Sequence, residues 1–198
     1  MAYVTAAEMR AFLEITSTDD DAIFTALIAA ASRTVNAITH RVFEASANTT
    51  RKFTPLIRWD GGNLIGDART LMFDEDLCSL TSIVNGDGSV IASTEYFLIA
   101  PNSTTWYGVT LKSQSSITWT YTGSPELSVE ITGKWAYSET CPADIAQAVK
   151  MIVKHFYTAR AVGNDSDRDV LSADGVVIAA SRIPSAVHKI LGAYVKYS

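Results

Sequence analysis

Between Gly133 and Arg160 the chain changes its period, and that change limits what the rest of it can become. Before the change, apolar and polar residues alternate, as Leu127, Val129 and Ile131 do, giving an extended strand one apolar side. After it, Ile145, Ala148, Val149, Ile152, Val153, Phe156 and Tyr157 recur at helical spacing and draw one broad stripe. Pro142 presets the φ of a first helical turn and Asp144 meets the helix dipole favourably, so the helix is expected to start near Cys141 and run through residues 141–163. Its stripe must be covered. The only other long amphipathic segments lie at the two ends of the chain, so the pattern predicts a bundle built from both termini around this helix.

At the N-terminal end, Thr5-Ala-Ala-Glu8 is a capping box that opens a short helix over Thr5 to Ile15, with Met9, Phe12 and Leu13 on its apolar side. Asp19, Asp20 and Asp21 then load the start of a long helix to about His40, with Ile23, Phe24, Leu27, Ile28, Ala31, Val35 and Ile38 facing inward. Ala26, Ala29 and Ala30 leave room for a second helix to approach closely, in the same subunit or a neighbour. At the C-terminal end, Pro184 opens a last helix whose Val187, Ile190, Leu191 and Tyr194 share one face. Gly163 to Arg182 joins it to the central helix as a polar, partly mobile connection or flap.

From Glu44 to Thr132 the alternating period rules. Thr49–Thr54, Arg69–Phe73, Leu80–Val84, Glu95–Ile99, Tyr107–Lys112, Ile117–Tyr121 and Leu127–Thr132 are expected strands, and Asn85-Gly86-Asp87-Gly88 is a hairpin turn. The predicted architecture is therefore α+β: a small antiparallel helical bundle with an inserted antiparallel β-sandwich or barrel lobe. Residues 1–46 supply the N-terminal helices, 47–140 the lobe, 141–163 the central helix, and 164–198 the connection and closing helix.

Chemistry is sparse. His40 ends a helix, His155 lies within one and His188 is on a polar side, and no Gly-x-Ser-x-Gly elbow accompanies them, so no catalytic residue is assigned. The acids after Asp165 alternate as in a calcium loop, but Val170 and Val176 replace its glycine and its bidentate glutamate, so no metal is assigned. No cofactor fingerprint exists, because Gly86-Asp87-Gly88 lacks the later glycine and the helix of a dinucleotide site. Cys78 and Cys141 are read as reduced thiols. A formal net charge of −5 argues against a phosphate-gripping surface. No signal peptide or membrane span is expected, and the chain is placed in a cytosol or in something assembled there. Trp59, Trp106, Tyr107, Trp119 and Tyr121 are candidates for a stacking platform in a carbohydrate- or nucleic-acid-binding module, the reading from a different class.

The order of parts carries a resemblance. Val4-Thr5-Ala6-Ala7-Glu8, the triplet Asp19-Asp20-Asp21 with Leu27 to Ser32, Gly133-Lys134-Trp135-Ala136-Tyr137-Ser138, Pro142 to Ala148, and Ile183-Pro184 through Tyr194 together resemble the head–tail connector, or neck adaptor, proteins of tailed bacteriophages. The β insertion matches only in general character, and Ala136 stands where the family has glycine. The resemblance implies a non-enzymatic virion protein, assembled in the host cytoplasm into a homo-oligomeric ring of about twelve copies below the portal. Its implied partners are other copies of itself, the portal protein, a stopper or tail-completion protein, and double-stranded DNA that passes without sequence-specific contact; no membrane is involved. Ile183, Pro184, Val187, Ile190, Leu191 and Tyr194 are the candidate portal-docking residues, unless the last helix packs back on its own bundle. Ala26, Ala29, Ala30, Arg33, Trp106 and Tyr107 are candidates for the subunit interface. A stopper or tail terminator is the near alternative.

Overall fold

The computed structural model describes residues 2–45, 47–55, 58–60, 63–65, 69–161, 170–171, 177–178 and 183–196, with backbone alone at 58–60, 63–65, 159–161, 170–171 and 177–178. The chain forms two compact units: Met1–Arg41 with Cys141–Ser198, and Val42–Thr140.

The first unit is the helical bundle. Helix α1, Ala6–Leu13, starts from the expected capping box: the Thr5 hydroxyl accepts from the Glu8 amide at 3.2 Å, and the Glu8 carboxylate accepts from the Thr5 amide at 2.7 Å. Glu14 ends it in a left-handed conformation. Arg10 then pairs with Asp21 at 2.9 Å, tying α1 to α2, Asp21–Thr39. The acidic entry to α2 does more than meet a dipole. Asp20 makes no cap; its carboxylate accepts from the Tyr157 hydroxyl of α3, Ala143–Ala161, at 2.6 Å, while the Phe24 and Tyr157 rings meet at 4.8 Å.

The apolar stripes converge as their spacing requires. Phe24, Ile28, Ala31 and Val35 of α2, Ile145, Ala148, Val149, Ile152 and Val153 of α3, and Met9 of α1 are buried together with Val187 and Leu191 of α4, Ser185–Gly192. By length and composition α2 could cross a membrane, but here one face of it forms bundle core. Within the expected connection, β8 (Val170–Leu171) pairs antiparallel with β9 (Val177–Ile178). The calcium-like acids from Asp165 to Asp169 lie outside the described residues.

The second unit is built on a five-stranded antiparallel sheet in the order β1-β7-β4-β6-β5, from β1 (Thr49–Phe53), β4 (Thr70–Val84), β5 (Tyr96–Leu98), β6 (Trp106–Leu111) and β7 (Val129–Trp135). A separate hairpin pairs β2 (Arg58–Asp60) antiparallel with β3 (Asn63–Ile65). Two strand expectations are corrected. Arg69–Phe73 and Leu80–Val84 are parts of one strand, because the acidic triplet Asp74-Glu75-Asp76 sits at a register shift rather than a break. Arg51 of β1 holds Glu75 at 2.7 Å, which lets those charges remain in a strand. Ile117–Tyr121 is not a strand; only Tyr121 makes a bridge, to Gly86. Its backbone is satisfied instead by side chains, as described below.

One apolar core fills the lobe. Phe53, Phe73 and Trp135 pack with tilted or edge-on rings, centroids 5.3–5.5 Å apart, and Leu77, Ile83, Val109, Leu111, Val129 and Ile131 extend the cluster. Ile91 and Trp119 from the connections close over it. Gly133 is required at its place in β7: a Cβ there would stand 2.2 Å from the Ser79 carbonyl oxygen.

Candidate functional site

The lobe is rooted by its own two ends. The Tyr137 amide donates to the Val42 carbonyl at 2.7 Å, and the Ser138 hydroxyl to the Phe43 carbonyl at 3.0 Å. Phe43 is fully buried and packs on Tyr137, centroids 5.7 Å apart, and the Thr105 hydroxyl donates to the Tyr137 carbonyl at 2.6 Å. The stretch Gly133 to Ser138, read from sequence as one motif, is thus a structural clamp. Ala136 is buried within it.

Two side chains that periodicity does not single out hold the connection from Lys112 to Tyr121. Arg69 donates to the carbonyls of Leu111, Lys112, Ser115 and Ile117, at 3.0–3.2 Å for all but Lys112. Buried Asn85 donates to the Thr118 carbonyl at 2.9 Å and accepts from the Thr120 amide at 3.0 Å. Asn85 was legible only as a turn residue. Its second role depends on a partner more than thirty positions away, which no local pattern reveals.

The candidate interface residues fall into two sets. On α2, Ala26 and Arg33 are exposed and Ala29 and Ala30 half-buried, so their spacing leaves a small-residue stripe at the bundle surface. Trp106 and Tyr107 belong to β6 in the other unit and are half-buried, Trp106 against the lobe core. Consecutive strand residues point to opposite faces, so these two do not share a surface.

The candidate docking residues are gathered on the bundle. Val187 and Leu191 are fully buried, and Ile183, Pro184, Ile190 and Tyr194 are half-buried. The Tyr194 hydroxyl donates to Asp144 at 2.6 Å, Arg41 donates to the Tyr194 carbonyl at 2.7 Å, and the Lys196 amide donates to the Thr39 carbonyl at 2.9 Å. Of the two arrangements open to the last helix, the structure adopts the one packed back on its own bundle.

The stacking platform is not assembled among the described aromatics. Trp119 is buried in the lobe core, Trp106 packs against that core, and Tyr121 is exposed; the Trp59 side chain lies outside the described residues. Among the described residues no group of three His, Cys, Asp or Glu is placed to hold a metal ion. His40 and His188 are exposed, and the His155 ring lies tilted beside its neighbour Phe156, centroids 5.8 Å apart. Burial pushes the Cys78 thiol up, and Lys134 beside Glu139, at 2.9 Å, holds that carboxyl below its usual range.

Charge is divided unevenly between the units. Val42–Thr140 carries six of the Lys and Arg residues but eleven of the Asp and Glu, whereas the bundle sequence is balanced at ten each, so the lobe carries the whole formal charge of −5. The bundle also has an open groove of about 470 Å³, lined by Phe12, Met151 and Pro184 with Lys154, His155 and Thr158.

No protein-family model matches the chain, and no curated protein does. Among solved structures, the fold is similar to that of a chain from the neck of an empty GTA particle computed with C6 symmetry. The two are 16% identical, the alignment covers 99% of this chain and 91% of that one, and the TM-score is 0.58. At that identity the likeness is one of fold.

Proposed function

We propose that this protein is a head–tail connector of the adaptor type in a tailed phage or phage-like particle, acting by assembly and without a catalytic centre. The observation that carries the reading is the fold likeness along 99% of the chain to a chain from a particle neck. Both units take part in it, so the β lobe as well as the bundle belongs to the shared architecture.

In this reading the chain forms a ring below the portal, extends its channel and offers a surface to the stopper or tail. Cyclic closure uses a heterologous contact, one face of a subunit on a different face of the next. The C6 symmetry of the neck particle is compatible with six copies or a multiple of six, which includes the expected twelve. An acidic lobe suits a lining that DNA slides past, since it forms no tight phosphate contacts.

Light scattering coupled to size exclusion, on the protein alone and mixed with the portal ring of its own particle, tests the proposal. Co-migration in a fixed multiple of the 21.4 kDa chain supports it. A chain that remains monomeric and ignores that portal refutes it.

A further inference from the structure

The lobe ends in an apolar tip. Around the Asn85 clasp, Val84 bridges Val90 and Gly86 bridges Tyr121, while Gly86 lies against Ser128, as a Cβ on Gly86 would come within 2.8 Å of the Ser128 Cβ. Three large apolar side chains therefore emerge at one end of the lobe: Val90, 69% exposed, Leu127, 59% exposed, and Tyr121, 44% exposed. Two exposed carboxylates accompany them, Asp87 and Glu126. Leu127 also adopts a left-handed conformation, φ 53°, which a branched side chain disfavours, and its amide donates to the Thr54 hydroxyl at 2.9 Å. An exposed leucine held at positive φ presents its side chain outward, as a binding knob does.

The bundle groove is the complement of this tip. Its apolar lining is Phe12, Met151 and Pro184, beside Gln147 and Thr158; among the described residues its ionisable lining is Lys154 and His155, with no carboxylate. Apolar surface with acids on the lobe matches apolar surface with a cation on the bundle, in units that differ in net charge in the same sense. Two different surfaces of one chain that fit each other make a head-to-tail contact, the kind that cyclic closure requires.

We infer that the groove takes the lobe tip of a second copy, with Leu127 seated on Phe12 and Met151 and with Glu126 facing Lys154. This rests on the ring reading above and gives that ring its subunit contact.

The test uses full-length protein, assembled alone or on the portal ring. Leu127→Cys is mixed in equal amounts with a mass-tagged Thr158→Cys chain and oxidised mildly, with the unsubstituted protein reporting the background from Cys78 and Cys141. Hybrid disulfide dimers that appear with assembly are the expected result. In parallel, Lys154→Glu lowers the assembled fraction about tenfold, and adding Glu126→Lys to the same chain restores it. Rings of unchanged mass that give no hybrid dimers and ignore the charge reversal overturn this contact and leave the ring reading intact. Absence of any assembly, alone or with the portal, overturns both.

Discussion

Replacing Leu191 by alanine measures whether the closing helix belongs to the bundle in solution. Leu191 is fully buried against α2 and α3, so the truncation removes its transfer free energy and leaves a cavity. Buried Leu→Ala changes span roughly 2–5 kcal/mol, and a site on a terminal helix can relax, which puts the expected loss at about 2–4 kcal/mol. With a urea slope of about 2 kcal/mol per molar, the unfolding midpoint falls by about 1–2 M. The assay follows from how residues are divided between the units. All four tryptophans, Trp59, Trp106, Trp119 and Trp135, lie in the lobe, and among the described residues all four helices lie in the bundle. Circular dichroism at the helical band therefore reports the bundle, and tryptophan fluorescence reports the lobe. The Leu191→Ala loss is expected in the first signal. A loss below about 0.5 kcal/mol there would mean that Leu191 is not buried in solution, and would refute the packed-back arrangement.

Four other perturbations have defined outcomes. Thr5→Ala removes the α1 cap at a cost of about 1 kcal/mol at neutral pH, by denaturant titration. The Thr5 amide and then the Thr5 hydroxyl hold the Glu8 carboxyl below its ordinary range, so its contribution is present above the unfolded carboxylate value and is lost as pH falls through the lower folded one. The stability gap between the native chain and Glu8→Gln should close over that acidic window and stay constant above it. Gly133→Ala drives a Cβ to 2.2 Å from the Ser79 oxygen, and should lower lobe stability by about 1–3 kcal/mol in the fluorescence signal, with the helical signal as control. Asn85→Ala unclasps residues 118–120 and leaves part-buried backbone groups unpaired, so Trp119 fluorescence should shift to the red and lobe stability fall by about 1–3 kcal/mol; an unshifted spectrum contradicts the clasp.

The bundle was legible in the chain because its information is local. A capping box states where α1 begins, and apolar residues three and four apart state which faces meet, so α1, α2, α3 and α4 lie within a few residues of their expected places. The lobe was legible in class and less so in detail. Alternation marks an extended backbone but not what satisfies it, so Ile117–Tyr121 looks like a strand when its partners are the Arg69 and Asn85 side chains. Three consecutive acids look like a loop unless a cation from another strand is known to lie beside some of them, as Arg51 does beside Asp74 and Glu75. The candidate surfaces divide in the same way. The α2 stripe follows from helical spacing alone, whereas the apolar tip depends on contacts that bring residues 84–90, 121 and 128 together, and no single stretch of sequence encodes it.

The division of the chain into a continuous lobe and a bundle made of both ends also sets an order of events during synthesis. Residues 42–140 are contiguous, so the lobe holds every strand of its sheet as soon as Trp135 has left the ribosome. Helices α1 and α2 emerge earlier, but the surfaces that bury Phe24 and Ile28 belong to α3 and α4, which are made after the lobe. By then the lobe can already hold Val42 close to Tyr137, 2.7 Å apart in backbone hydrogen bond, which shortens the loop that α2 and α3 must close from about a hundred residues to a few. A lobe that fails to fold would therefore slow the bundle without touching a single helical contact. Variants such as Gly133→Ala should then show a delayed helical phase on refolding, even where their native helices are unchanged.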